Sequence, residues 1–529
     1  MRQWPWVCAL LVAGLVWGGG PRPAIRGGGV FNAASRMPEG LAAGAIEPGA
    51  QFVIRGRALG PESAAPAPEE RPEPELGGTA VEITQGGRMR RAALARVERD
   101  RVVAVMPEVA PGEASVVIRR EGRASAPEKI RVGGGAFGIF AAGGKGWGAA
   151  DGVTEPARRG GVVVLRGTGL GAGETGLRVL VGGVAARVER VETVCCSGVE
   201  RIRLRVPRKA PVSCQVPVQA VRANGAVSNT VTIAVAGRGG CGAKEPWLAG
   251  AAKEGGPVGL ALLMRLRLES VAGGKKTEYD EDSASVAFRR LAARTGEEAP
   301  FSLLPAEGTC VTVAGPFTAA TLLALRSFSG AVLGGKALDA GPGIELEGGA
   351  SRVGVERTHL GEPGYSTVLG GRPLFGRDTG KPLFLRPGMY RMTAAGGSEV
   401  GAFEARIPAG PEIVWENREE LDRVDRKAGV TVRWRGAGKK DMVLVAAGSA
   451  DIASGAAGAC ICRARAGAGS FFVPAYALSN IPDGMAVGLP LSVLGLFDVP
   501  AKPAIFAARG LDRGYGVTIT LSARTVEFH

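Results

Sequence analysis

Short apolar runs broken by glycine, rather than a helical period, set the pattern of this chain. Val53-Ile54-Arg55-Gly56-Arg57-Ala58-Leu59-Gly60 recurs 111 residues later as Val164-Leu165-Arg166-Gly167-Thr168-Gly169-Leu170-Gly171. Each copy is a β-rich run ending in Gly-x-x-Leu-Gly, and the strands downstream of the two copies match as well. Residues 79–83 alternate and 101–106 are nearly all apolar, as half-buried and fully buried strands are. Residues 202–207 match 102–107, each a strand ending at a proline, and the closing run 228–235 matches 125–132. Each unit thus holds about seven short strands with regular turn signals, which predicts an immunoglobulin-like sandwich.

The expected fold class is all-β: tandem immunoglobulin-like sandwiches followed by a further β-rich C-terminal region. The expected divisions are a signal peptide over 1–20, a first sandwich over 27–133 with a Pro/Glu-rich surface insertion at 61–75, and a linker over 134–152. A second sandwich over 153–236, a Gly-rich linker over 237–256, a β-rich domain over 257–408 and a sandwich-like domain over 409–529 complete the chain. Phe137-Gly138-Ile139-Phe140 is expected to pack where the first two units join. Within the third, 285–294 reads as one short helix and 266–270 as a strand.

The order Gly, Gly-x-x-Leu-Gly, a Gly-Gly hairpin at Gly182-Gly183, a strand ending in proline and a closing strand opened by Ser resembles the IPT/TIG (transcription-factor-like immunoglobulin) fold. More narrowly, Gly29-Val30-Phe31-Asn32-Ala33-Ala34-Ser35 with Phe137-Gly138-Ile139-Phe140 and its glycine-rich tail is similar to a family of exported soil-bacterial proteins in which such tandem modules are common. The match covers about residues 27–236. It implies a binding or structural scaffold and carries no catalytic residue over. The first module departs from the pattern, with Gln85-Gly86-Gly87-Arg88 where the second has Val181-Gly182-Gly183-Val184. Its second strand pair is therefore the weaker expectation.

Composition narrows the compartment and the partners. Gly 84 and Pro 34, spread without a period, exclude collagen and fit short strands joined by tight turns. Arg2, the apolar run 7–17 and Gly18-Gly19-Gly20 read as a cleaved secretory signal, and the run is shorter than the roughly 20 residues that span a bilayer. The expected location is secreted, periplasmic or cell surface, with no stable transmembrane segment after cleavage. The charge of +15 is scattered in pairs such as Arg90-Arg91 and Lys439-Lys440. Scattered pairs favour polysaccharide or an anionic cell envelope as partner over nucleic acid. Beyond Cys8, seven cysteines remain. Export implies that most are paired, with at least one left over. Cys214 is expected to bond one of the vicinal Cys195-Cys196, with Cys196 and Cys214 as the candidate disulfide.

Candidate chemistry is thin. His359 and His529 are the only histidines, which leaves little for a triad or a histidine metal site. Gly167 to Ala172 spells G-x-G-x-x-A, but a further strand follows instead of the helix a dinucleotide needs, so it reads as a turn. The span 237–244 lacks the phosphate-loop lysine. Glu278-Tyr279-Asp280-Glu281-Asp282 reads as a solvated acidic loop. Glu399 with Glu404, or Glu416 with Asp422, could serve glycoside hydrolysis, but sequence prefers neither over surface acids. Trp415 and Trp434 are expected as core anchors rather than sugar platforms. No catalytic, cofactor or metal residue is assigned. The reading is a non-enzymatic binding, adhesion or spacer protein. The alternative is an extracellular carbohydrate-active enzyme whose C-terminal half holds the site, and an envelope receptor ectodomain is the third.

Overall fold

A computed structural model describes residues 21–68, 71–170, 176–194, 196–242, 247, 255–272, 274–291, 304–317, 335–349, 351–358, 364–374, 377–484 and 491–529. The signal expected over 1–20, Cys195 and His359 lie outside the described residues. The described chain is all-β, a row of sandwich-type units.

In the first unit one sheet runs Ala24–Asn32, Gln51–Arg57, Arg101–Val105, Ala93–Val97, Ala65–Pro66. The facing sheet runs Glu128–Val132, Gly112–Arg120, Thr79–Gln85, Arg88–Arg91. Alternation decides the faces: Phe52, Ile54, Val102 and Ala104 meet Val81, Ile83, Val116 and Ile118 in the core between the sheets. The second unit repeats the pairing, Val162–Thr168 lying against Val199–Arg205 as Gln51–Arg57 lies against Arg101–Val105.

The repeated motif has a backbone cause. Ala58 (φ 53°) and Gly169 (φ 100°) occupy the same place in the two copies, each just before a buried leucine, Leu59 or Leu170. The left-handed residue turns the chain so that the leucine closes the end of the core, and only glycine does this without strain. The Gly-Gly pairs act alike. Gly86 and Gly87 (φ 54° and 75°) and Gly182 and Gly183 (φ 60° and 77°) each form the two-residue turn that matches strand twist. The first module's hairpin therefore forms, Gln85 opposite Arg88, as in the second.

The C-terminal half is built on a long hairpin. Gly256–Ala272 pairs with Lys275–Leu291 along its whole length, and then in parallel with Arg513–Thr525. Residues 285–291, read from sequence as the start of a helix, are the end of that hairpin strand. Val286 and Phe288 enter one core and Ala287 another, so pairing on both edges overrides the helix-like composition. The acidic run 278–282 is likewise strand, not loop. Residues on both sides of 408 share a single sheet, because Cys310–Pro316 pairs with Ala456–Arg465 as well. Two apolar cores divide there, one drawn from 261–409 with Phe506 and the other from Cys310 and 413–528, while a third joins Val258, Leu260 and Leu262 to Met442, Val499 and Tyr515 across it.

Register also buries charge. Arg265 stands opposite Asp282 in the hairpin, and Glu269 lies beside Arg524 in the parallel pair. Both pairs close as salt bridges, at 2.7 and 3.1 Å. Among the described residues no helix is long and apolar enough to cross a membrane.

Candidate functional site

The two sequence stretches that marked the first two modules meet each other. Asn32 is buried and its Oδ1 accepts from the amides of Ala34 (2.9 Å) and Ser35 (3.0 Å), curling the chain after the first strand. Gly138 lies on that curl so closely that a Cβ there would stand 2.5 Å from the Ser35 nitrogen. Asn229 holds the other side, accepting from the Ile139 amide at 2.8 Å and donating to the carbonyls of Ile139 and Gly146, each at 2.8 Å. Thr168 accepts from the Gln51 amide (2.7 Å), and Gln51 Nε2 donates to Ser197 O (2.7 Å). Phe137 and Ile139 enter the core of the second unit. The stretch read as a linker over 134–152 is thus bound on both sides, and its buried polar groups find partners as folded interiors require.

A second joint seats the sandwich pair on the C-terminal sheet. Thr312, on the edge strand Cys310–Pro316, meets Thr230 at 2.6 Å and accepts from Gln219 Nε2 at 3.3 Å. Asn480 donates to Ser228 O at 3.3 Å. Met37, Leu41 and Ala43 of the first unit pack on Ala456 and Ala314.

The cysteines correct the sequence reading. Cys214 bonds Cys241, not Cys196. Ser213 pairs with Val235, so the chain leaving that strand turns back at 237–240 and brings Cys241 beside Cys214. Cys196 sits in the turn beside the Thr168 end of the same sandwich, about 20 Å away at strand rise. It is an exposed free thiol at φ 64°. Cys310 bonds Cys462, its direct cross-strand partner. Cys460 is a buried free thiol whose pKa burial pushes up to about 12.

The surface round the first joint carries cations over rings: Arg36 over Phe31 (5.4 Å), Lys145 over Trp147 (5.7 Å) and Arg166 over Phe140 (6.0 Å). Arg166 also pairs with Asp151 at 3.0 Å. The C-terminal half has a broad open depression of about 490 Å³ whose lining includes Gly343, Gly354, Glu345, Glu356 and Thr393. Beside it runs a chain of exposed ion pairs, Glu345 to Arg352 (3.2 Å), Glu347 to Arg391 (2.9 Å) and Arg391 to Glu404 (3.3 Å). Glu356 pairs with Gly343 across the hairpin, two residues from Glu345. That diagonal puts the two Cα atoms about 7–8 Å apart. Sequence reasoning missed this carboxylate pair, whose only signal was the alternation of 343–347 and 351–357.

The carboxylates proposed from sequence are each held by partners of their own. Glu399 accepts from the Asp339 amide (3.0 Å), Glu404 binds Arg406 (2.9 Å), Glu416 binds Arg435 (3.4 Å) and Asp422 binds Arg524. Asp282 turns inward onto Arg265, while Glu278 is exposed on the same strand. Among the described residues no three His, Cys, Asp or Glu converge on a metal position. The Gly167 motif ends a strand at Thr168, and the next described strand is Arg178–Val181. Trp415 and Trp434 are buried core residues whose Nε1 atoms donate to Asn417 Oδ1 (3.2 Å) and Ala466 O (2.9 Å).

No family model and no curated protein matches the chain. Among solved structures it is similar to the γ-CGTase of alkalophilic Bacillus clarkii at 14% identity and a TM-score of 0.14, covering 40% of this chain and 26% of that one. It is similar to the Bacteroides ovatus mixed-linkage glucan utilization locus SGBP-B, in complex with a mixed-linkage heptasaccharide, at 12% identity and a TM-score of 0.22, covering 49% and 67%. It is also similar to domains 4–9 of the surface layer protein SbsC at 11% identity and a TM-score of 0.18, covering 96% and 66%. The chain therefore spans about a quarter of the length of the CGTase. Its fold rests on its own strand pairing.

Proposed function

We propose that this chain is an exported, non-enzymatic scaffold of tandem IPT/TIG-type modules, working at the cell surface or outside the cell by binding polysaccharide or anionic envelope. The observation that carries the reading is the pair of locked joints. Buried Asn32, Asn229 and Thr312 fix how the surfaces of the units stand to one another. Fixed surfaces lose less freedom on binding an extended partner, which is how preorganisation raises affinity. The two disulfides support an oxidising compartment, and the cation-bearing rings at the first joint support an anionic or sugar partner.

The test is retention of the full mature chain on insoluble polysaccharides and cell envelopes, with the supernatant assayed for released sugar. Retention without product is the expected result. Released sugar would sink it in favour of the carbohydrate-active enzyme. One observation favours that second reading: Glu345 and Glu356 line one depression at a spacing within reach of a hydrolytic pair. In that case Glu345→Gln and Glu356→Gln should abolish release while leaving retention intact.

A further inference from the structure

The outer face of the first sandwich gathers arginines with few matching acids. Register sets Arg55 directly opposite Arg101 on the neighbouring antiparallel strand. Like charges in that position repel and destabilise a sheet. Arg36 joins them from the turn after Asn32, held at φ 54° and lying over Phe31, whose strand partner is Val53. Val53 and Val103 form the buried apolar floor beneath.

Two donors on this face are left over. The Nε atoms of Arg36 and Arg101 are buried and have no hydrogen-bond partner among the described residues, an uncommon state for a buried polar atom. The acids at hand are few. Asp100 reaches Arg55 at 3.5 Å from an exposed position, and Glu98 is taken by Arg96. Burial, and then the charge of Arg55, pulls both Arg36 and Arg101 below the usual arginine range. Both guanidinium groups still carry their charge, because arginine stays protonated in proteins. The face therefore holds fixed positive charge, idle donors and an apolar floor in one place.

We infer that Arg36, Arg55 and Arg101 form an oxyanion site that takes the carboxylate or sulfate of an acidic polysaccharide. Guanidinium forks match the two oxygens of such groups and bind them with charge-assisted hydrogen bonds. Gly146 packs on Ser35 and Arg36, so Lys145 and Trp147 flank the site and offer a further cation and a ring face to a polymer chain. The cluster is confined to one sheet face instead of running as a long basic stripe, and the disulfides indicate export; both favour a glycan over nucleic acid. The polymeric partner rests on the scaffold reading above, whereas the oxyanion site does not.

The experiment is calorimetric titration of the full mature chain with polygalacturonate, dextran sulfate and neutral dextran, at low salt and at about 0.5 M, where exposed charge is screened. The expected result is binding of the two acidic polymers only, weakened by salt. Affinity should fall at least about tenfold in R36Q/R101Q, since each lost charge-assisted bond counts for more than that. The R406Q control, on another sheet, should bind as wild type. Without ligand the double variant should unfold no earlier than wild type, because repulsion has been relieved. A second measurement separates site binding from the general stabilisation that sulfate gives folded chains: the gain in unfolding midpoint from sulfate over chloride at equal ionic strength should be smaller in R36Q/R101Q than in wild type. Unchanged affinity in R36Q/R101Q, equal binding of neutral dextran, or an equal sulfate gain in R36Q/R101Q and wild type would overturn the site. Single-stranded DNA displacing both acidic polymers would assign it to nucleic acid instead. A double variant still retained on insoluble polysaccharide would sink the arginine site and leave the scaffold reading standing.

Discussion

Removing the Asp282 carboxylate should loosen the C-terminal half while sparing the two N-terminal sandwiches. Arg265 and Asp282 face each other across the long hairpin, with side chains only 5% and 0% exposed. The guanidinium gives Asp282 two hydrogen bonds of 2.7 Å, and the Leu385 amide gives a third at 2.6 Å. Glu412 takes another guanidinium nitrogen. Burial acts to lower the Arg265 pKa, but Asp282 and Glu412 outweigh it and hold the group above its ordinary value. Arginine stays protonated in proteins, so the cation remains charged when its main partner is gone. Asp282→Ala leaves a buried charge underpaired and a buried amide without an acceptor. Breaking a buried pair from one side costs about 3–5 kcal/mol, a large share of the roughly 5–15 kcal/mol that holds a domain folded. The assay is urea unfolding followed by tryptophan emission, since Trp415 and Trp434 sit in the C-terminal core. A chain of several cores need not unfold in one step. The C-terminal transition should move to lower urea by that free energy while disulfide-linked second-unit signals hold. The paired replacement Arg265→Met with Asp282→Leu should cost less than Asp282→Ala alone, because no lone charge is left inside. A shift below about 1 kcal/mol for Asp282→Ala, or a double variant worse than the single, would refute the reasoning.

Other perturbations probe an isolated acid, the cysteines and the first joint. Burial, with Asp441 adding to it, pushes Asp498 up to about 7. A raised acid favours the fold when protonated, so the stability it withholds above about pH 7 returns as pH falls toward about 4. Asp498→Asn should therefore melt higher than wild type near pH 8, with a lead that shrinks below about pH 7 and is gone near about pH 4; a constant difference in Tm would contradict this. Non-reducing peptide mapping should recover Cys214 with Cys241 and Cys310 with Cys462, while native alkylation reaches Cys196 and spares Cys460, whose thiol burial keeps protonated. A peptide joining Cys196 to Cys214 would disprove the pairing. Asn229→Ala strips partners from Ile139 and Gly146, which should cost about 2 kcal/mol and speed amide exchange through 135–146; unaltered protection there would show that the joint does not depend on it.

What the chain declares in its sequence is mostly local. Alternation at 79–83, the prolines that end strands and the Gly-Gly turns are each decided within a few residues, so the tandem sandwiches could be read directly. Less legible features were set by distant partners. Residues 285–291 look helical alone and become strand because 256–262 lie along them. The Cys214 bond depends on where the chain turns after Ala236, which no spacing of cysteines reveals. The arginine face shows the same limit. Arg55 lies in the repeated motif and Arg101 opens a predicted strand, yet their juxtaposition needs the register, and Arg36 needs the Asn32 turn.

The edge strand Cys310–Pro316 explains why the units belong together. An exposed edge offers unpaired amides and carbonyls to any passing strand. Here the Thr312 amide donates to Thr230 Oγ1 at 3.1 Å, so the second sandwich occupies the position a foreign strand would take. The loop bearing Met37 and Leu41 packs on Ala314 beside it, and Cys310 ties the strand to its neighbour. Removing the sandwich pair would uncover this edge and leave a buried threonine without its partner. Accessory modules on a free tether would have no such obligation. The way this edge is closed therefore argues against accessory modules on a free tether and for one body in which the units are packed together.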